Sequence, residues 1–498
     1  MDKLRLAVVP LALAMALSSS AFANLSPNDP TWWQKYQFIQ RNGPASFAGT
    51  APVSSSSTNV DVSNECGPQS ETFIAINTSH PRMIAGGSNE IFRLPMRGYF
   101  STDSGASWGG VDLPLPPNPQ GANSINFGSD PGLAFDGSGN LYYSYIVVFF
   151  GAGAGVNGTE MAVAHSTDGG KSYPQVTFFS YSSGGDHFND KPMIAADSNP
   201  KTQSPFAGNV YVAWDAASGG SSGGGIRFGR STDHGQTFTV SRIDAPTGPG
   251  RSIGTTVAVG PNGEVYVAWN DYVASQIVVN SSFDGGVTFG TPRVIANQSL
   301  GFQALIPAQS FRGALLYPTC DADRSAGPHR GRVSCAWMDT NIAGNTDIFL
   351  SFSDDGGSTW SAKREVTDGL GGVDRFNQWL AVDPITGHTV VTFYDTRNDS
   401  TGARVAFDTY LASSTDGGAT FAPNLRVSDV TSNEHDCSGV FPCASIDYGN
   451  QTGDYEGVAS YGGTAHPIWT DSRKNQHGTA TCGSRGLMEE VFSAAVTP

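Results

Sequence analysis

A short turn sequence occurs six times in this chain of 498 residues. It reads STDGGKSY at residues 166–173, and its variants are STDSGASW at 101, STDHGQTF at 231, SFDGGVTF at 282, SDDGGSTW at 353 and STDGGATF at 414. The Asp residues of successive copies lie 51 to 71 residues apart. Periods of this length indicate a repeated supersecondary unit with insertions in its loops.

Four short runs of apolar residues accompany each turn. In the third unit they are KPMIAAD, NVYVAWD, IRFGRSTDHG and TFTVSRI. Runs rich in Val, Ile, Tyr and Phe and bounded by Gly, Asn or Asp predict antiparallel strands, with the turn between the third and fourth. Four-stranded sheets repeated around an axis form a β-propeller. The 61 glycines and the 14% of charged residues suit such short strands and tight turns.

The repeated turn resembles the Asp-box (BNR) repeat of sialidases and related propellers, over roughly residues 57–498. Its Ser or Thr and its Asp accept backbone N–H bonds across the turn, and its glycines adopt positive φ. The resemblance implies that the turns lie at the rim, away from the ligand. The six turns are therefore expected to build the scaffold and to perform no chemistry.

Counting strand quartets predicts one unit more than the six turns. First strands are expected near Glu71, Asp130, Lys191, Gly254, Gly313, Phe376 and Asp454. The seventh unit lacks a fourth strand, which residues 57–63 would supply by pairing with 488–496. The sequence thus predicts an all-β, seven-bladed β-propeller of four-stranded antiparallel blades, closed by an N-terminal strand. Six blades, one for each turn, is the alternative.

The N-terminal residues predict export. Lys3 and Arg5, an apolar run and Ala21-Phe22-Ala23 make residues 1–23 a bacterial-type signal peptide. A secreted or periplasmic location is expected, with residues 24–56 as an extension and linker before the propeller at 57–498. In an exported chain the six cysteines predict disulfides, and strand adjacency pairs them as Cys66–Cys482, Cys320–Cys335 and Cys437–Cys443. Free buried thiols are the alternative.

The net charge of −16 argues against nucleic-acid and membrane-surface partners, because it repels phosphate and anionic lipid. Acidity of this kind serves solubility, and calcium binding is the other interpretation. No cofactor is expected to be required, and a monomer is expected.

Candidate site residues come from the loops on the face opposite the turns. The loops entering the first strands carry His187, Asp190, Lys191, Asp374, Arg375, Tyr455 and Glu456, and the loops leaving the second strands carry Asp395, Arg397, Asp471 and Arg473. Arg375, Arg397 and Arg473 are predicted to hold a ligand carboxylate. The alternative is internal neutralisation by the neighbouring aspartates. Tyr455 and Glu456 should point to opposite faces of a strand.

Sialidases bind the substrate carboxylate with an arginine triad and use a Tyr–Glu nucleophile and an Asp acid, on six blades. The resemblance therefore implies a secreted, sialidase-like glycoside hydrolase acting on glycans. Its acid, base and nucleophile would come from Asp190, Asp374, Asp395, Asp471, Tyr455 and Glu456. Its ligand contacts would come from the three arginines, His187 and Lys191. The alternative is a non-catalytic propeller that binds glycan or protein, with calcium held by the Asp-rich mouth.

Overall fold

The computed structural model describes residues 59–63, 68–91, 93–117, 125–150, 156–183, 187–218, 225–244, 252–369, 371–435, 452–473 and 489–498. These ranges contain thirty β-strands and no helix, so the predicted all-β class is confirmed. Accordingly, no helix in them could cross a membrane.

The strands of these ranges form seven four-stranded antiparallel sheets and one two-stranded hairpin. Sheet 1 contains β2 (Gln69–Ile76), β3 (Ile84–Glu90), β4 (Arg97–Ser101) and β5 (Gly109–Asp112). Sheet 2 contains β6 (Ile125–Phe135), β7 (Leu141–Phe150), β8 (Val156–Ser166) and β9 (Gln175–Ser183). Sheet 3 contains β10 (His187–Ala196), β11 (Val210–Ser218), β12 (Gly225–Ser231) and β13 (Thr239–Arg242).

Sheet 4 contains β14 (Ser252–Val259), β15 (Val265–Asp271), β16 (Gln276–Ser282) and β17 (Arg293–Asn297). The hairpin that follows it contains β18 (Gln303–Ile306) and β19 (Gln309–Leu315). Sheet 5 contains β20 (Thr319–Ala322), β21 (Val333–Thr340), β22 (Thr346–Ser353) and β23 (Arg364–Glu365).

Sheet 6 contains β24 (Arg375–Val382), β25 (Thr389–Asp395), β26 (Asp408–Ser414) and β27 (Leu425–Arg426). Sheet 7 contains β28 (Gly457–Tyr461), β29 (Thr464–Asp471), β30 (Glu490–Ser493) and the N-terminal strand β1 (Val60–Asp61).

The core lies between neighbouring sheets. Second strands such as β11 (VYVAW) are apolar at successive positions and buried on both sides, because each sheet packs against one neighbour on each face. Two of the fourth strands, β23 and β27, are only two residues long and exposed. Contacts between first strands run β2–β6–β10–β14–β20–β24–β28 and return from β28 to β2. The seven sheets therefore follow one another around a common axis.

The N-terminal strand pairs with the last strand, as the sequence predicts. Val60 lies opposite Ser493 and Asp61 opposite Phe492 in an antiparallel ladder. Asn59 adds a link to sheet 6: its Nδ2 donates to the Val427 carbonyl at 3.0 Å, and its Oδ1 accepts the Asp429 N–H at 2.8 Å.

One predicted first strand is wrong. Gly313 lies in β19 of the hairpin, and the first strand of sheet 5 begins at Thr319. Pro318, which has no N–H to donate to a ladder, separates the two segments. The first strand of sheet 7 begins at Gly457, three residues after the predicted Asp454.

All six repeat turns connect a third and a fourth strand and share one hydrogen-bond pattern. In sheet 5, Ser353 Oγ accepts the Gly357 N–H at 2.9 Å and donates to Asp355 Oδ1 at 2.8 Å. Asp355 then accepts the N–H and hydroxyl of Thr359 at 2.8 and 2.6 Å. These polar groups are engaged within the turn itself, which fits a scaffold role. We call this end of the ring the turn face and the opposite end, where first strands begin, the entry face.

The Cys320–Cys335 disulfide is confirmed, between directly opposed residues of β20 and β21. Cys66, Cys482, Cys437 and Cys443 lie outside the described residues.

Candidate functional site at the ring axis

Five of the seven first strands carry a bulge at the same place, where the register with the second strand shifts. One residue of each bulge has a φ between 45° and 69°, namely Glu71, Asp130, Lys191, Gly254 and Asn377. A non-glycine residue in this left-handed region costs about 1–3 kcal/mol and persists only when its surroundings impose it. Four strained side chains at equivalent positions near the entry face mark this region as a functional candidate.

Three carboxyl groups from sheets 1, 2 and 3 meet there. The Lys191 N–H donates to Asp130 Oδ2 at 3.1 Å and to Asp190 Oδ1 at 3.0 Å, so these two carboxyls lie side by side, and Glu71 lies next to Asp130. Burial raises the pKa of Asp130, but the hydrogen bonds of its carboxyl together outweigh burial and lower the pKa overall. We call Glu71, Asp130 and Asp190 the axial acid cluster.

The Asn89 side chain fixes this cluster. Its Nδ2 donates to Glu71 Oε2 at 2.6 Å, and its Oδ1 accepts the Asp130 N–H at 2.7 Å. Glu71 Oε1 also accepts the Asp454 N–H at 3.3 Å. Glu71 and Asp130 are less than a tenth exposed, whereas Asp190 is half-buried. Asp190 is therefore the member of the cluster most open to a ligand.

The Lys191 ammonium group lies next to the cluster inside a cage of rings. Its Nζ lies 4.7 Å from the ring centroid of Tyr317, 4.9 Å from Tyr455 and 5.5 Å from Trp379, and it donates to the Thr255 carbonyl at 3.2 Å. Burial lowers the pKa of Lys191 to about 8, although nearby carboxylates oppose the shift. Cation–π attraction replaces part of the lost hydration. Lys191, a predicted ligand contact, is thus caged within the protein.

Tyr455 and Glu456 point into different surroundings, as predicted. Tyr455 faces the axis, where its hydroxyl donates to the Pro131 carbonyl at 3.3 Å. Both residues come just before β28 rather than within it; Glu456 is 1% exposed, and burial and then the charges of Asp471 and Glu489 raise the pKa of its carboxyl well above its usual value. The two side chains therefore cannot act on one substrate.

Arg375 is neutralised inside the protein. Its guanidinium is fully buried between Asp347, at 2.8 Å from Nη1, and Asp395, at 2.7 Å from Nε. Arg397 also pairs with Asp395, at 2.6 Å, and with Asp368, at 2.9 Å. These contacts match the internal-neutralisation alternative.

Arg473 is engaged in the same way. It pairs with Asp471 at 2.6 Å and with Asp429 at 2.9 Å, and its guanidinium lies over the Phe492 ring at 3.7 Å. The structure therefore does not bring the three arginines together as a free carboxylate clamp.

One further predicted acid lies apart from the axial cluster. Asp374 is 1% exposed, accepts the Thr346 N–H at 3.2 Å and pairs with Arg404 at 3.0 Å. His187 begins β10, but its side chain lies outside the described part. Of the predicted acids, only Asp190 belongs to the cluster.

A cavity of about 180 Å³ lies along the axis toward the turn face. First-strand residues such as Phe73, Met193 and Leu380 line it. Trp379 lines this cavity and also covers Lys191, so it stands between the cavity and the axial acid cluster.

Within the described ranges, no group of three or more His, Cys, Asp or Glu side chains is arranged to hold a metal ion. Calcium binding remains a prediction.

Glu71 and Asp130 were missed as site residues because they sit inside strands rather than in loops. A signal exists in the sequence: SETF, SDPG and DKPM occupy equivalent positions at residues 70–73, 129–132 and 190–193, and each has a charged residue at the positive-φ position of the bulge. Aligning the first strands on their inward apolar residues would have exposed it.

No profile of a known protein family and no curated protein matches the chain. Among solved structures, the Hadza microbial sialidase Hz136 matches at 15% identity and a TM-score of 0.42, covering 65% of this chain and 63% of that one. The chain thus spans less than two thirds of that protein. A leech intramolecular trans-sialidase matches at 13% identity and a TM-score of 0.45, covering 79% of this chain and 72% of that one. The NanB sialidase of Streptococcus pneumoniae matches at 10% identity and a TM-score of 0.45, covering 71% of this chain and 68% of that one. The likeness concerns the fold alone.

Proposed function

We propose that this chain is a secreted or periplasmic seven-bladed β-propeller that binds a carbohydrate on its entry face and hydrolyses a glycosidic bond there. The observation that carries the proposal is the axial acid cluster, held at strained bulges beside the Tyr455, Tyr317 and Trp379 rings. Carboxyl groups bind sugar hydroxyls and transfer protons, and aromatic rings pack against the apolar faces of sugars.

The seven blades are supported by the cyclic contacts among first strands and by the pairing of β1 with β30. In such a ring the bulges of different sheets converge on the axis. Convergence explains how residues far apart in sequence, such as Glu71 and Asp190, come to share one hydrogen-bonded group.

In the proposed reaction Glu71 and Asp190 are the acid and base. Each lies beside Asp130, which stands between them; glycosidases need a gap of roughly 5–9.5 Å between their catalytic pair. In this proposal Asp130 is a positioning residue.

A neutral or amino sugar suits this site better than an acidic one. Arg375, Arg397 and Arg473 are occupied by internal carboxylates, and the groups at the axis are mainly acidic. A sugar carboxylate would be repelled there.

The test is a panel of chromogenic glycosides, with the variants Glu71→Gln and Asp190→Asn. Each substitution should lower kcat on the active substrate at least about 100-fold, as loss of a general acid or base does. Glu264→Gln is the matched control and should leave kcat unchanged, because this carboxylate lies at the turn face, where it accepts hydrogen bonds from the backbone and side-chain N–H groups of Asn262. Equal kcat in all three proteins would contradict the assignment.

A non-catalytic carbohydrate-binding propeller is the second candidate. The low exposure of Glu71 and Asp130 favours it, because a catalytic carboxyl must reach its substrate. Binding on a glycan array without hydrolysis of any glycoside would select this function.

A further inference from the structure

An inserted hairpin extends the entry face next to the axis. Strands β18 and β19 lie between β17, the last strand of sheet 4, and β20, the first strand of sheet 5. Because fourth strands end and first strands begin on the entry face, the hairpin belongs to that face. It thus places added surface beside the axial acid cluster.

Three aromatic rings lead from solvent along this insertion to the axis. The Tyr272 and Phe302 centroids are 6.4 Å apart, and those of Phe302 and Tyr317 are 5.8 Å apart. Tyr272 is 40% exposed, Phe302 is half-buried and Tyr317 is 7% exposed. Tyr317 in turn covers the Lys191 ammonium group at 4.7 Å. We call Tyr272, Phe302 and Tyr317 the aromatic row.

The row is fixed by its backbone. The Leu316 N–H donates to the Phe302 carbonyl at 2.9 Å, and Asn270 Nδ2 donates to the Leu316 carbonyl at 2.9 Å. Asp271 Oδ1 accepts the Ala274 N–H at 2.9 Å and so shapes the turn that carries Tyr272. Rings held in this way lose little freedom when a ligand covers them, which favours binding.

We propose that the aromatic row is a set of sugar-binding subsites, so that the ligand is an oligosaccharide extending outward from the axis over the inserted hairpin. This rests on the proposed carbohydrate function. The row continues from the candidate site without interruption, its outer ring Tyr272 is 40% exposed, and the polar residues Asp271 and Gln303 adjoin Tyr272 and Phe302 in the chain. A flat apolar face with polar neighbours fits a pyranose ring, whose C–H face packs on an aromatic ring while its hydroxyls remain solvated.

The experiment measures affinity by calorimetry for chain-length series of cello-, xylo-, manno- and chito-oligosaccharides from one to six units. The parent protein should bind longer members of one series more tightly. Tyr272→Ala and Phe302→Ala should each weaken the longest member about two- to tenfold, the loss of one aromatic contact, and leave the shortest member unchanged. Phe283→Ala is the matched control, because Phe283 is 64% exposed in the same sheet but lies in the repeat turn of the opposite face.

The outcomes separate the two proposals. Binding that is independent of chain length, or unchanged in both row variants, overturns the subsites and leaves the axial carbohydrate site standing. Absence of binding to every sugar overturns the carbohydrate function and the subsites together. Equal losses for the shortest and longest members show a folding effect and also overturn the subsites.

Discussion

The substitution Arg375→Ala tests whether the predicted ligand arginines belong to the scaffold. It removes a fully buried guanidinium and leaves the fully buried Asp347 without its ion-pair partner, whereas Asp395 keeps its pair with Arg397. Removing one member of a buried ion pair costs about 3–5 kcal/mol, because an uncompensated charge stays behind. Against a total folding stability of about 5–15 kcal/mol, this loss is large.

The assay is guanidinium unfolding followed by tryptophan fluorescence, run beside affinity for the bound sugar. Arg426→Ala in the same sheet is the control: its side chain is 40% exposed, and the buried Asp408 carboxylate keeps hydrogen bonds from Asn398 and Ser428 when Arg426 is removed, so the loss should be smaller than for Arg375. Adding Asp347→Asn to the Arg375 variant should recover part of the stability, because it removes the carboxylate left without an ion-pair partner. Unchanged stability together with lost binding of an acidic glycan would refute the scaffold assignment.

Four further outcomes follow from local geometry. Gly254→Ala should destabilise more than Gly402→Ala by chemical denaturation. Both glycines have a φ near +70°, which costs an L-residue about 1–2 kcal/mol, but a Cβ at Gly254 would clash with the Tyr317 ring, whereas nothing lies within 4 Å of a Cβ at Gly402. Glu456→Gln should remove part of the pH dependence of the unfolding free energy. Because the pKa of Glu456 is raised in the folded state, its protonation stabilises the fold fully below the unfolded value of 4.5, and this stabilisation is lost as pH rises above that value. A parallel pH profile in both proteins would contradict this. Ser353→Ala should cost about 1 kcal/mol in thermal unfolding and leave sugar affinity unchanged, because the hydroxyl serves only the turn. Replacing Cys320 and Cys335 with Ala should cost about 3 kcal/mol on the loop-entropy account of a 15-residue loop, measured by denaturant midpoint.

Periodicity made the sheets predictable, because each unit repeats the same local pattern of apolar runs and turns. The pairing of β1 with β30 followed from a unit that lacked one strand, and the Cys320–Cys335 bond followed from adjacent strands. Pattern reasoning failed at Gly313 because an insertion with its own strands imitates a first strand.

The candidate site was less predictable because partner choice is tertiary. The loops carrying Arg397 and Arg473 were correctly placed on one face, yet sequence cannot say whether a guanidinium faces a ligand or a neighbouring Asp. The bulges that orient Glu71 and Asp130 depend on backbone register, which a period-two pattern does not reveal. Asp190 and Tyr455 were found because they border loops.

The ladder between β1 and β30 also bears on the order of folding. Sheets 1 to 6 are meanders of consecutive strands, so each can form from a short stretch of chain. Sheet 7 joins segments roughly 430 residues apart, and closing such a loop costs about 3 kcal/mol more entropy than closing a hairpin of ~15 residues. Prior ordering of the other sheets reduces this cost by bringing the two segments together. Ring closure is therefore expected to be the late, cooperative step of folding, and mutations in β1 should speed unfolding more than they slow the formation of the other sheets.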